Sequence, residues 1–286
     1  MISRSLFAVL LLWAASIIPT TAQKVDYQKA DSLRVVSLFK KASGQQHSMG
    51  NYMVFFGRQL RGVPYVAKTL EVNKEERLVV NLRQLDCTTY VETVLALSRC
   101  MMQGKPTFAN YCTQLRLIRY AHGVVSYPTR QHYFTYWIKQ NVSDGIVKDI
   151  QSPNPPFTAR QTVKANYMTT HVSQYPLLVA HPAFVGKIKA MEQSITGMKP
   201  RYIPEQNLKN TKLLRSTVHD GDIIGIVTTK AGLEISHLGI AVWHKDGLHM
   251  LNASSMYHKV VEDNNLLYTY LKNKKTSTGI RITRAY

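Results

Sequence analysis

The sequence predicts an α+β fold, with a helical first half whose strongest amphipathic helix packs on a C-terminal antiparallel sheet. Two observations carry this. Through the first half, apolar residues recur at three- and four-residue spacing, as on one face of a helix. The last third switches to short alternating runs broken by turn residues. Helices grouped ahead of strands, rather than interleaved with them, point away from a parallel βαβ sheet.

The chain opens with Arg4, an apolar run from Leu6 to Ile18, and small residues at Thr20-Thr21-Ala22. This is the pattern of an export signal over residues 1–22. The apolar run has about 13 residues, short of the roughly 20 needed to span a bilayer. No cysteine follows it to carry a lipid anchor. The expected location is periplasmic or secreted, with no transmembrane segment after signal removal, and residues 23–286 are expected to form one domain with helical elaborations.

Within that domain, residues 27–42 place Val35, Leu38, Phe39 and Ala42 on one helical face. A second helix is expected over 49–60, stopped by Gly62-Val63-Pro64. Residues 86–101 form the strongest amphipathic helix, anchored by Tyr90, Val91, Val94, Leu95 and Leu97. Further helices are expected over 108–120, 131–140 and 182–195, with a loop at Pro153, Pro155 and Pro156. Strands are expected over 222–228, 237–243, 248–253, 259–262 and 280–284.

Composition narrows the function. The net charge is +19, which draws a protein to polyanions. Export argues against nucleic acid, and no helix-turn-helix, zinc-finger or RNA-binding signature occurs. An envelope polymer carrying carboxylates or phosphates fits better. Three cysteines occur, namely Cys87, Cys100 and Cys112, too few for a disulfide scaffold. Cys100 and Cys112 either pair and leave Cys87 as a free thiol, or stay reduced as small hydrophobes.

Cys87 stands at the start of the helix over 86–101, in Leu85-Asp86-Cys87-Thr88-Thr89-Tyr90. Only the thiolate is a strong nucleophile. Lowering a thiol pKa from about 8.5 to the range of papain-like ion pairs takes roughly 7 kcal/mol. A helix N-terminus contributes about 1–2 kcal/mol, so a particular histidine must supply most of the rest. His237 is the best candidate, because it heads a run in which His237, Gly239 and Ala241 share one strand face. The small residues beside it leave room for a helix to bring its cysteine close. Asn252, in Leu251-Asn252-Ala253-Ser254, is placed to orient the far ring nitrogen. No cofactor is expected. No metal is expected either, since the available histidines, His244 and His249 among them, show no His-Glu-x-x-His or comparable ligand spacing.

The same residues carry a resemblance. Gly62-Val63-Pro64-Tyr65, Asp86-Cys87 and His237-Leu238-Gly239-Ile240 resemble, in order and spacing, the NlpC-type papain-like cell-wall cysteine hydrolases. Cys87-Thr88-Thr89-Tyr90-Val91-Glu92, Arg130-Gln131-His132-Tyr133-Phe134 with Trp137, and Leu251-Asn252-Ala253-Ser254-Ser255 resemble their N-acetylmuramoyl-L-alanine amidase-like branch. The resemblance covers nearly all of the mature chain. It implies a papain-like fold, peptidoglycan or muropeptides as substrate, and cleavage between the lactyl group of N-acetylmuramic acid and L-alanine.

On that resemblance Cys87 is the nucleophile, His237 the general base and then acid, and Asn252 the orienting residue. Tyr65 lines the site, and Asp86 and Ser236 flank the cleft. The sequence departs from relatives with Asp-Cys-Ser-Gly by carrying Thr88 and Thr89, which favours a site reading sugar plus first residue over one holding a free stem amine. The third position is asparagine where histidine is common. Arg130 and Tyr133 suit either a substrate carboxylate and sugar or helix capping and core packing. The rival activities are a stem-peptide endopeptidase with the same triad and a non-catalytic wall-binding module.

Overall fold

The computed structural model describes residues 25–44 and 48–286, so the export signal expected over residues 1–22 lies outside the described residues. In chain order the first elements are β1 (Val25–Tyr27), α1 (Lys29–Ala42), α2 (Met49–Gln59), β2 (Leu78–Val80), α3 (Cys87–Met102), α4 (Phe108–Arg119) and α5 (Phe134–Ser143). A mixed segment follows, with β3 (Val147–Ile150), β4 (Ala159–Arg160), α6 (Tyr167–Thr170), α7 (Pro176–Ala180), α8 (Ala183–Ile195), β5 (Arg201–Pro204) and α9 (Lys212–Thr217). The C-terminal part holds β6 (Ile223–Thr228), β7 (Ile235–Trp243), β8 (Leu248–Ser254), β9 (Lys259–Glu262), α10 (Leu267–Lys272) and β10 (Ser277–Ala285). Among the described residues, no helix is long and apolar enough to cross a membrane.

The architecture is α+β. The main sheet runs β4-β5-β10-β6-β7-β8-β9, and β3 also pairs with β10. All of these pairings are antiparallel. One end of β10 takes β5 at Gly279 and Ile280, and the other takes β3 from Ile282 to Ala285. A separate parallel pair joins β1 to β2.

Each face of the sheet has its own core, because side chains alternate along a strand. Leu238, Ile240, Val242, Leu251 and Ala253 face a core shared with α1 to α5. Ala241, Leu248, Met250, Ile224 and Ile226 face a second core closed by Leu267 and Leu271 of α10. A third cluster, including Tyr127, Tyr133, Leu178 and Ile188, fills the helical elaboration.

Three departures from the sequence expectations have local causes. Tyr27 joins β1 instead of opening α1, because it pairs with Val80. The helix expected over 131–140 begins at Phe134, because Arg130 bridges Tyr120 and the Gln131 N–H donates to the Arg119 carbonyl. Strands β3, β4 and β5 enlarge the sheet from a stretch without clear alternation. The loop at Pro153 to Pro156 lies between β3 and β4, as expected. Cys100 and Cys112 are both free and buried.

Candidate active site

The turn before the Cys87 helix is held from several sides. Asp31, fully buried on α1, accepts the Leu82 N–H at 2.9 Å and pairs with Arg83 at 3.2 Å. Gly62, at φ +85°, makes the left-handed turn that leads from α2 into Pro64-Tyr65. The Tyr65 N–H then donates to the His258 carbonyl, while Leu85 and Val66 exchange bonds with the same short segment. Tyr65 is therefore stitched beside the approach to Cys87.

Asp86 caps the helix. Its Oδ1 accepts from the Thr89 N–H at 2.8 Å, and its own N–H donates to Thr89 Oγ1 at 2.9 Å. This reciprocal box satisfies two orphan donors and makes Cys87 the first helical residue. The Cys87 N–H has no acceptor among the described residues.

His237 lies near the start of β7, opposite Ile226 and directly beside a register shift between Ile226 and Val227. Such a bulge re-aims a side chain. Its Nε2 lies 3.0 Å from Asn252 Oδ1. A carboxamide oxygen only accepts, so Nε2 carries the proton and Nδ1 keeps its lone pair. Asn252 is fully buried, and its Nδ2 donates to the Met250 carbonyl at 3.4 Å.

The helix reaches the histidine by a different route from the one expected. Helix α3 packs on the face of β7 and β8 carrying Leu238, Ile240 and Leu251. His237 shares its alternation with Ala241, which faces the second core. The space beside Gly239 belongs to Met250, whose Cγ lies 2.4 Å from where a Cβ would stand. The helix start instead lies near the first residues of β7, where the Leu238 backbone and Thr88 act on the Cys87 sulfur to lower its pKa.

Burial, with Asp86 adding to it, pushes the Cys87 thiol up to about 11, against the opposing bonds from Leu238 and Thr88. Burial lowers His237 from its ordinary value, and Lys274 acts in the same direction. The Asn252 bond and Asp86 act oppositely. The Tyr65 hydroxyl is pushed up to about 12 by burial, then by Cys87 and Asp86. Tyr270 of α10, which carries no signal in the sequence, stacks on His237 with centroids 6.4 Å apart. It too is raised to about 12, by burial, then Asp263 and Cys87. Two protonated tyrosines thus stand within the field of the thiol.

A cavity of about 200 Å³ opens on the Thr88 side, with Asp86, Glu92, Arg119, Arg130 and His132 in its wall. Arg130 lines it, but its fork is occupied by Glu71 and Glu76, and its guanidinium lies 4.7 Å over the Tyr127 ring. The expected pairing with a substrate carboxylate therefore meets a fork already spent. Tyr133 is buried, and its hydroxyl bonds Glu192 at 2.7 Å. It packs in the third cluster, where core packing rather than sugar contact accounts for it. Ser236 is exposed beside His237, its hydroxyl 3.4 Å from the Ile226 carbonyl.

Residues 55–280 match the family model described as AmiA-like, N-acetylmuramoyl-L-alanine amidase-like. The chain is 35% identical to an N-acetylmuramoyl-L-alanine amidase from Bacteroides uniformis, with a TM-score of 0.76, covering 83% of this chain and 99% of that one. It is also 35% identical to a Bacteroides fragilis protein provisionally named a xylanase, with a TM-score of 0.73 and coverage of 80% and 98%. A Legionella pneumophila protein at 23% identity shares the fold, with a TM-score of 0.69 over 90% of this chain and 94% of that one. No match was found among curated protein sequences.

Proposed function

The chain belongs to the AmiA-like, N-acetylmuramoyl-L-alanine amidase-like family, and from that premise we propose that it is an exported, papain-like cysteine amidase of the NlpC type. Its substrate is peptidoglycan or its muropeptide fragments, and its nucleophile is Cys87. The observation that carries the reading is the 3.0 Å contact between His237 Nε2 and Asn252 Oδ1, which leaves Nδ1 as a base at the strand end where Cys87 sits.

In this mechanism His237 Nδ1 takes the thiol proton as the Cys87 sulfur attacks the lactyl carbonyl carbon. The oxygen gains the negative charge, and the Cys87 N–H and the Tyr65 hydroxyl are the donors placed to receive it. His237 returns the proton to the departing L-alanine amine as the C–N bond breaks, leaving a thioester. Water, deprotonated by His237, hydrolyses the thioester and restores the thiol.

A glycosidase would need two free carboxyl groups flanking one bond. Here Asp86 is spent on the helix cap, Glu92 on Arg119, and Glu71 on Arg130. The carboxylates of this cavity wall are therefore not free to act as a glycosidase pair.

The test is digestion of muropeptides of defined stem length with products read by mass spectrometry. Free stem peptide beginning at L-alanine is expected, and Cys87→Ala should abolish it while leaving Tm close to that of the parent. Cleavage after D-glutamate would move the reading to an endopeptidase. Full activity in Cys87→Ala would end the thiol mechanism.

A further inference from the structure

At the β7–β8 turn, away from the proposed chemistry, His244, Asp246 and His249 each offer one metal-ligand atom, and the three atoms lie within 4.8 Å of one another. The spacing His-x-Asp-x-x-His is short because the turn itself folds the three together. His244 ends up stacked on His249, with ring centroids 4.1 Å apart.

Hydrogen bonding assigns the ring nitrogens. His244 Nε2 lies 2.8 Å from Glu262 Oε1, and His249 Nδ1 lies 2.9 Å from the Asp263 carbonyl oxygen. Both partners are acceptors, so those nitrogens carry the protons. This leaves His244 Nδ1 as a lone-pair atom, while His249 Nε2 faces the Asp246 carboxylate and can give its electron pair to a cation there. Outer acceptors of this kind, a carboxylate for one imidazole and a carbonyl for the other, are the usual supports of metal-bound histidines.

His249 is only 2% exposed, and its Nε2 bonds Asp246 Oδ1 at 3.0 Å. Either an imidazole N–H donated to the carboxylate or a cation shared by the two holds this contact, and a nitrogen and an oxygen on one zinc are separated by about this distance. The turn is also braced before any ion arrives. Asn210 donates to the Asp246 carbonyl at 3.1 Å, Arg215 to the His244 carbonyl at 3.0 Å, and the His244 N–H to the Gly247 carbonyl at 2.9 Å. Glu262 is held at both oxygens by Arg58, so it supports His244 and is not counted as a ligand.

We propose that His244, Asp246 and His249 form a binding site for a zinc-like divalent cation that clips the β7–β8 hairpin. Two imidazoles and one carboxylate suit zinc or nickel and do not suit magnesium or calcium. Three protein ligands leave at least one position to water. The site begins at His244, seven residues from His237 and just past the end of β7, about 23 Å at strand rise. Its role is therefore to stiffen the strand pair that carries His237 and Asn252, not to take part in the reaction.

The experiment uses chelator-stripped Cys87→Ala protein, which removes the thiol as a competing zinc ligand. Calorimetric titration with zinc chloride should show one saturable site per chain and a raised Tm, with no response to magnesium chloride. Asp246→Asn and His244→Ala, both at solvent-reachable positions, should each weaken zinc binding by at least about tenfold. His181→Ala, on an exposed histidine elsewhere, should leave it unchanged. Absence of saturable binding, or equal affinity in Asp246→Asn, would overturn the proposal and leave His249 held by a proton alone.

Discussion

Asn252 carries no charge, so what it gives His237 is direction. Losing the 3.0 Å contact frees the ring to rotate away from Cys87, and misplacement of about 1 Å costs roughly 10²-fold in rate. Asn252→Ala should therefore lower kcat by about 10²-fold with little change in KM, as read by steady-state assays on a muropeptide. Charge is set elsewhere. With the thiol pushed up to about 11 and His237 lowered, the resting pair is neutral thiol and neutral imidazole, whereas the energetic argument from sequence called for an ion pair. A raised acid stays protonated below its pKa, so the thiolate fraction climbs with pH throughout the neutral range. Alkylation of Cys87 by iodoacetamide should climb likewise, and a rate already flat from acid pH would establish the ion pair instead. Cys87, His237 and Asn252 were legible because each interrupts a strong local pattern. Tyr270 was not, since its only link to the site is a stacking contact made across the fold. The role of Arg130 and Tyr133 stayed open in the sequence because an arginine beside aromatics looks the same there whether it meets a ligand or a buried glutamate.

At the scale of elements, α3 carries the proposed nucleophile and is fastened by a buried charge pair. Glu92 Oε2 accepts from Arg119 Nε at 2.7 Å, and Arg119 also donates to the Val79 carbonyl of β2. Burial, with a smaller push from Asp86, raises the Glu92 carboxyl against the pull of Arg119. Removing one partner strands the other in a dry setting, at a cost of about 3–5 kcal/mol. Glu92→Gln should thus lower Tm by roughly 10 °C in differential scanning calorimetry, and an unchanged Tm would show that α3 is anchored by its apolar face alone. The elements that sequence made plain, such as α3 and β7, have periodicity strong enough to survive tertiary contacts. Strands β4 and β5 have two and four residues and include Arg160 and Arg201, so backbone pairing with neighbours decides them. Helix α5 starts late for a similar reason, because Arg130 bridges Tyr120 and Gln131 is drawn into a backbone bond with Arg119 just before it.

At the scale of the molecule, the sheet separates two apolar cores. Cys87 packs with the first, while His237 stacks on Tyr270, which packs with the second. The proposed nucleophile and its proposed base are thus gripped from opposite sides of one seam near the start of β7. Local opening of a protein takes less free energy than its global unfolding, and slackening on either side is enough to part the two. Turnover should accordingly fade on warming before the far-ultraviolet circular dichroism changes, and return on cooling. Coincident loss of both signals would show that the seam holds until the whole fold melts. The proposed catalyst, clamped in this way, is expected to act as its own thermal fuse, switching off reversibly while the scaffold is still intact.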